Sequence, residues 1–190
     1  MQRAILSVLA VLFALPMAVQ TQTQTAAPHL PRGTTINVSN SEIQATVKKT
    51  SSAAVSDQQL RVVDVGEYNV GVGIVHRAKT TGRNPNGIEH SQITEVYHVI
   101  EGSATLVTGG MLENPKDTPA DSQTVTLLNG PSTNGGEIQN GVSRKIVAGD
   151  VVVIPPNTPH WFSEIDSDQI VYLVVRIDPH HVLPAGYVAK

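Results

Sequence analysis

Two periodicities divide the chain. Behind Ser39, with Glu42 three positions on, Ile43 and Val47 recur at helical spacing and the run ends on Lys48-Lys49. A capping box at the start and cations at the end predict a short helix at about 40–50. Further on the period falls to two. Tyr68, Val70, Val72, Ile74 and His76 alternate with Asn69, Gly71, Gly73 and Val75, the pattern of a strand. Further β-like runs follow at Glu95–Ile100, Ala104–Thr108, Thr124–Leu128, Val151–Ile154 and Ile170–Ile177. Clusters of Gly, Pro and Asn separate them, at 83–87, 113–115, 131–136 and 155–157. Many short strands between turn signals predict an all-β sandwich or barrel. Between Gly109 and Val147 strand signals are sparse, and a surface hairpin with a loose tip is expected there.

The start of the chain follows another rule. Arg3 precedes an apolar run from Ala4 to Leu15, Pro16 breaks it, and small residues follow around Ala18. That is the layout of a secretory signal peptide, and the run is too short to cross a bilayer comfortably. The expected organisation is a leader over 1–20, a Thr/Gln/Pro-rich linker over 21–35, and one domain over 36–190. The product would be exported, periplasmic or secreted, with no stable membrane span once the leader is removed.

Composition then narrows the chemistry. Hydrophobic residues make up 40% and charged residues 15%, which suits a folded core and not a disordered acidic chain. Thirteen basic residues against 16 acidic ones give a net charge of −3, which argues against nucleic acid as a partner. There is no cysteine, so thiolate ligands, disulfides and cysteine nucleophiles are excluded, and a metal would depend on His, Asp or Glu. No Walker loop, dinucleotide fingerprint or nucleophile elbow is present.

Seven histidines remain to be placed. His90 precedes Glu95 by five positions, so a bend at 91–94 is needed for both to face one interior. Gly149–Ile154 leads into the turn Pro155-Pro156-Asn157, and His160 opens the returning strand. A carboxylate such as Glu95 at the head of an apolar strand is costly unless it is paired or metal-bound. His98 has the opposite parity and is expected to face outward. Glu101 reads as a solvated turn residue and His180-His181 as tail.

In these two segments the chain resembles the cupin superfamily. His90, Glu95 and Gly102 match the first family motif; Gly149, Pro155 and His160 match the second. Asn157 stands where the turn glycine is usual, and Asn also accepts positive φ. The resemblance covers about residues 60–178. It implies an all-β, cupin-type double-stranded β-helix or jelly-roll barrel with a short N-terminal helix. It also implies one divalent transition metal held by His90, Glu95 and His160. Ile88 occupies the place of a further histidine, which leaves an N,N,O set with open positions. Such a set favours Fe(II), with Mn, Ni, Co or Zn possible. Ile88, Tyr97, His76 and Trp161 (with Phe162 beside it) are candidate residues of a substrate pocket. A homodimer is also implied, with the helix at 40–50 and a strand at 60–65 as elements two copies could exchange. The implied activity is that of a metal-dependent enzyme on a small organic substrate, dioxygenase-, isomerase- or lyase-like. The alternative is a non-catalytic module for a sugar or other small molecule.

Overall fold

The computed structural model describes residues 30–31, 34–51, 53–80 and 85–190. The leader and most of the linker therefore lie outside the described residues. Helix α1 spans Asn40–Thr50, and its N-cap Ser39 accepts the backbone N–H of Glu42, as the capping pattern predicts. Among the described residues thirteen strands follow. They are β1 (Val55–Asp64), β2 (Asn69–Ala78), β3 (Gly87–His90), β4 (Thr94–Glu101), β5 (Ser103–Thr108), β6 (Met111–Leu112) and β7 (Lys116–Asp117). After them come β8 (Ser132–Gly135), β9 (Ile138–Gln139), β10 (Val142–Val147), β11 (Val151–Ile154), β12 (His160–Ile165) and β13 (Gln169–Asp178).

Sequence neighbours do not stay neighbours in space. One large sheet has the order β1-β2-β13-β4-β11, a second β10-β5-β12-β3-β8-β7, a small third is β6-β9, and all named pairs are antiparallel. Between the sheets lies a core that includes Val75, Tyr97, Val99, Leu106, Phe162 and Tyr172. Cross-strand partners point to one face, so Val75 opposite Tyr172 and Gly71 opposite Arg176 fix the inward side of β2. The tight turn before β5 needs a glycine: Gly102 has φ +83°, and a Cβ there would lie 2.0 Å from the Gln169 carbonyl oxygen.

Three expectations need correction. Thr124–Leu128 is not a strand; Thr124–Asn129 forms a π-helical turn. Ser122 wins the segment from its β-branched residues, because its carbonyl accepts from Thr126 N–H and its hydroxyl from Val125 N–H. The stretch from 109 to 147 is no loose hairpin either: β6 pairs with β9, and β8 pairs with both β7 and β3. The residues after β13 are tied down, since Asp178 accepts N–H groups of His180, Val182 and Leu183. Leu183 then packs on Val62 and Ile93.

Helix α1 and β1 pack within the chain. Ile43 and Val47 pack against Leu60, Ile74 and Val171, and Glu42 pairs with Arg61 at 2.7 Å. The open edge of β1 is bridged by the chain's own end, Arg61 opposite Val188. Among the described residues no helix is long and apolar enough to cross a membrane.

Candidate metal centre

His90 closes β3, Glu95 stands second in β4 and His160 opens β12, so the ends of three strands converge. The bend at 91–94 does what the odd spacing requires and turns both side chains inward. The Pro-Asn turn brings in the third residue: Asn157 adopts φ +57° and its N–H donates to the His90 carbonyl at 2.8 Å. The two motifs are thus bonded to one another through the backbone. His90, Glu95 and His160 are all buried, at 4%, 2% and 4% exposure, and their ligand atoms lie within 4.8 Å of one another.

Hydrogen bonds fix the tautomers. The Thr158 carbonyl can only accept, so His160 donates to it from Nδ1 at 3.0 Å. The Ser132 hydroxyl gives its proton to the Gly130 carbonyl and so accepts from His90 Nδ1 at 2.8 Å. Both Nε2 atoms therefore point inward, 3.5 Å (His90) and 3.4 Å (His160) from Glu95 Oε2, and in the neutral imidazole each is a lone pair. Two imidazole nitrogens and a carboxylate oxygen thus converge on one point. Two atoms bound to one metal at about 2.1 Å lie roughly 3.0 to 3.5 Å apart, so the spacing fits a shared cation. Nδ1 bonds of this outward kind also orient imidazole ligands.

Glu95 is held from both sides. Tyr97 O–H donates to Oε2 at 2.9 Å, and Arg176 Nε lies 3.4 Å from Oε1. Arg176, 1% exposed, also donates from Nη1 to Gln59 at 2.7 Å and pairs with Asp57. A Cβ at position 73 would lie 2.9 Å from Arg176 Nη1, so glycine on β2 leaves the room this guanidinium fills. Burial pushes the Glu95 carboxyl up, but His90, His160 and Arg176 together outweigh it and hold the group well below the usual carboxylate range. For His160 burial is the largest cause and lowers its value to about 4, with Glu95 pulling the other way. Burial and the Glu95 charge both push the Tyr97 hydroxyl up, so it stays a donor.

The structure separates the four candidate pocket residues. Tyr97 touches the triad, 6.3 Å from the His160 ring centroid and 4.5 Å from that of Tyr172. Half-buried Ile88 stands opposite His160 in the β3–β12 pair and shares its face. His76 does not look into the barrel. It lies opposite Val171 on the α1 side and its Nε2 meets Gln169 Oε1 at 3.0 Å. Trp161 also faces outward, with Val107 and Ile138, onto a groove of about 590 Å³. Phe162, one residue on, stacks inside on Tyr172 at 5.5 Å. His98 is exposed on β4, as its parity predicts, and Glu101 is exposed and accepts from Gln169.

Two partners of the site have no place in the two motifs. Ser132 lies 42 residues from His90, in the segment expected to be a loose hairpin. Arg176 does leave a signal: it is the lone cation in the apolar run Ile170–Ile177, on the parity of Tyr172 and Val174.

No family model matches the chain, and no curated protein does. Similar solved structures include a cupin protein from Bacteroides fragilis, at 16% identity over 64% of this chain and 79% of that one, TM-score 0.37. A protein from Bacillus halodurans matches at 14% identity over 85% of this chain and 92% of that one, TM-score 0.41. A recombinant oxalate oxidase solved with glycolate matches at 20% identity over 67% of this chain, TM-score 0.43; the chain spans 52% of the length of that enzyme. The chain's own strand order, with the ends of its two motifs meeting inside the barrel, makes its fold that of the cupins.

Proposed function

We propose that this chain is an exported cupin that holds one divalent transition metal on His90, Glu95 and His160 and acts on a small organic substrate. The convergence of two imidazole Nε2 atoms on a buried carboxylate oxygen, each ring held from behind through Nδ1, carries this reading. Two nitrogens and one oxygen favour Fe(II), with Mn, Ni, Co or Zn as alternatives. When bound, such a metal supplies Lewis acidity, and iron adds reactivity toward O₂. The protein's own part is to hold and to exclude. Ser132 and Thr158 lock the imidazoles, Tyr97 keeps its proton on Glu95 Oε2, and the rings of Tyr97, Phe162 and Tyr172 keep water out below the site. The leader at 1–20 supports export to the periplasm or the medium, which the mass of the mature protein in cell fractions would test.

Metal analysis of protein purified without a His-tag decides the central claim. Wild type is expected to carry close to one equivalent after supplementation. Glu95→Ala and His160→Ala are expected to fall below about a tenth with the circular dichroism of the barrel retained, as loss of a ligand in a three-ligand set predicts. Metal retained in both variants would overturn the ligand set.

The burial of all three residues favours a second reading, a non-catalytic binding module in which the metal is structural. Oxygen uptake with a panel of catechols, thiols and keto acids separates the two. Uniformly flat traces from the metal-loaded protein would favour the module over an oxygenase. A homodimer is part of either reading, and a mass measurement in solution tests it.

A further inference from the structure

Three arginines of the described residues are drawn out of full solvent contact, and two of them have carboxylate partners. Arg61 pairs with Glu42, and Arg176 with Asp57 and Glu95. Arg77, near the end of β2, has no ion pair among the described residues. Asp57, the carboxylate that acts on it through space, is bound to Arg176 instead. Arg77 is nevertheless held in place. Its Nε donates to the Tyr172 hydroxyl at 3.1 Å, and its guanidinium carbon stands 4.8 Å from the Phe162 ring centroid. These contacts use one of five N–H donors; the four on Nη1 and Nη2 meet no acceptor among the described residues. A cation fixed and partly desolvated without a counter-charge is unfavourable unless an anion joins it.

The surroundings say which anion. Arg77 lines a cleft of about 270 Å³ with Val55, Trp161, Phe162 and Ile165, and Lys79 lines it too. Backbone bonds from Ala78 N–H to the Ala54 carbonyl (2.9 Å) and from Lys79 N–H to the Asp168 carbonyl (2.8 Å) anchor this strand end. No residue lining the cleft is acidic. The larger groove on the other side of Trp161 has the opposite sign, with Glu137 and Glu164 in its lining and no cation. We propose that the cleft at Arg77 binds a small organic acid. Arg77 and Lys79 would take the carboxylate, for which the planar Nη edge is suited to two parallel bonds, and the apolar walls would take a compact body. The volume lies just under the roughly 300–1,000 Å³ of common ligand pockets, so the acid is small. Phe162 and Tyr172, with Tyr97 behind them, stand between this cleft and the triad, which makes it a separate site.

Trp161 is the one tryptophan of the sequence and lines the cleft, so its fluorescence reports occupancy. The probe is benzoate, with benzamide as its neutral counterpart and inorganic phosphate as an anion without an apolar body. They are titrated into chelator-treated mature protein at low ionic strength, so that neither a bound metal nor salt competes. Benzoate should saturate in the millimolar range or below and bind about tenfold or more tighter than benzamide, as charge-assisted hydrogen bonds predict. Arg77→Met should weaken benzoate about tenfold or more and leave benzamide within about twofold. Lys79→Glu, a change on the exposed rim, should weaken benzoate about three- to tenfold. Should Arg77→Met fail to fold, Lys79→Glu decides alone, and unchanged benzoate affinity there overturns the proposal. Equal affinity of wild type for benzoate and benzamide, phosphate bound as tightly as benzoate, or no saturable signal with benzoate overturns it as well. Because the titration is made without metal, these outcomes leave the reading of the triad untouched.

Discussion

Along β13, Ile170, Tyr172 and Val174 face inward, and so do Arg176 and Asp178 beyond them. One strand thus contributes to two very different halves of the same interior. In the first half Ala104, Ile146, Ile154, Ile165 and Ile170 pack with the three rings of Tyr97, Phe162 and Tyr172. In the second, Glu95, His90, His160, Gln59, Asn69, Arg176 and Asp178 are buried, and a small aliphatic cluster of Val62, Ile93 and Leu183 joins them through Asn69 and Asp178. The apolar half gains stability simply by leaving water. The polar half gives up solvation and regains it bond by bond, for little net gain. Stability therefore resides mainly in one half of the barrel and binding chemistry in the other.

The largest expected effect breaks the apolar half. Phe162 is 5% exposed, stacks on Tyr172 and lies under the Arg77 guanidinium at 4.8 Å. Phe162→Ala should cost about 3–5 kcal/mol, the usual range for emptying a buried aromatic site. Urea unfolding of metal-free protein measures it. A loss below about 1 kcal/mol would mean that the division between the halves is wrong.

That division is only partly legible in the sequence. Helix α1, the period of β2 and the two motifs are local features, set by spacing and turn chemistry, and the residues alone reveal them. Which face of β2 turns inward they do not reveal. Val70, Val72 and Ile74 look like the core face and Gly71 and Gly73 like the solvent face. The reverse holds, because Arg176 fills the volume the glycines leave, and Ile74 packs toward α1 instead. His76 follows Ile74 outward for the same reason. Ser132 is beyond the reach of any local pattern, since its bond to His90 depends on β8 joining β3 across 42 residues. Thr124–Leu128 misleads because β-branched residues carry strand propensity even where a neighbouring serine caps a helical turn.

Acid should find the polar half next. His160 has an ordinary value of 6.5 and is held at about 4, chiefly by burial. Between those values the unfolded chain binds the proton and the folded one does not. Stability is thus fully present above about pH 6.5 and falls as the pH drops toward 4. The full contribution is about 3 kcal/mol, of which about 2 kcal/mol is lost between pH 6.5 and 5. Glu95, held low, adds a loss of the same sign only below its ordinary 4.5. Chelator-treated wild type and His160→Gln, unfolded in urea across this window, should diverge. Parallel curves would show that His160 does not carry the slope.

A smaller effect sharpens the contrast without touching a ligand. Ser132 only accepts from His90 Nδ1 and donates to Gly130. Ser132→Ala frees the imidazole to choose the other tautomer, and metal affinity should fall about 10- to 100-fold, as for other partners of metal-binding histidines. The apolar half should not notice, so the urea midpoint of the metal-free protein should stay close to wild type. Competition with a chromogenic chelator reads the affinity. An unchanged constant would mean that another group orients His90.

The smallest effect tests the link between the motifs. Asn157 sits at φ +57° in the turn that delivers His160, and its backbone N–H meets the His90 carbonyl. A left-handed residue other than Gly or Asn is disfavoured by roughly 1–2 kcal/mol. Asn157→Ala should therefore lower stability by about 1 kcal/mol, while Asn157→Gly should stay near wild type. The backbone bond survives in both variants, so metal affinity should follow the backbone strain and not the lost amide. Glycine should leave affinity intact and alanine should weaken it slightly. Should glycine weaken the metal as much as alanine does, the Asn157 side chain would have a role at the polar end that backbone conformation does not explain.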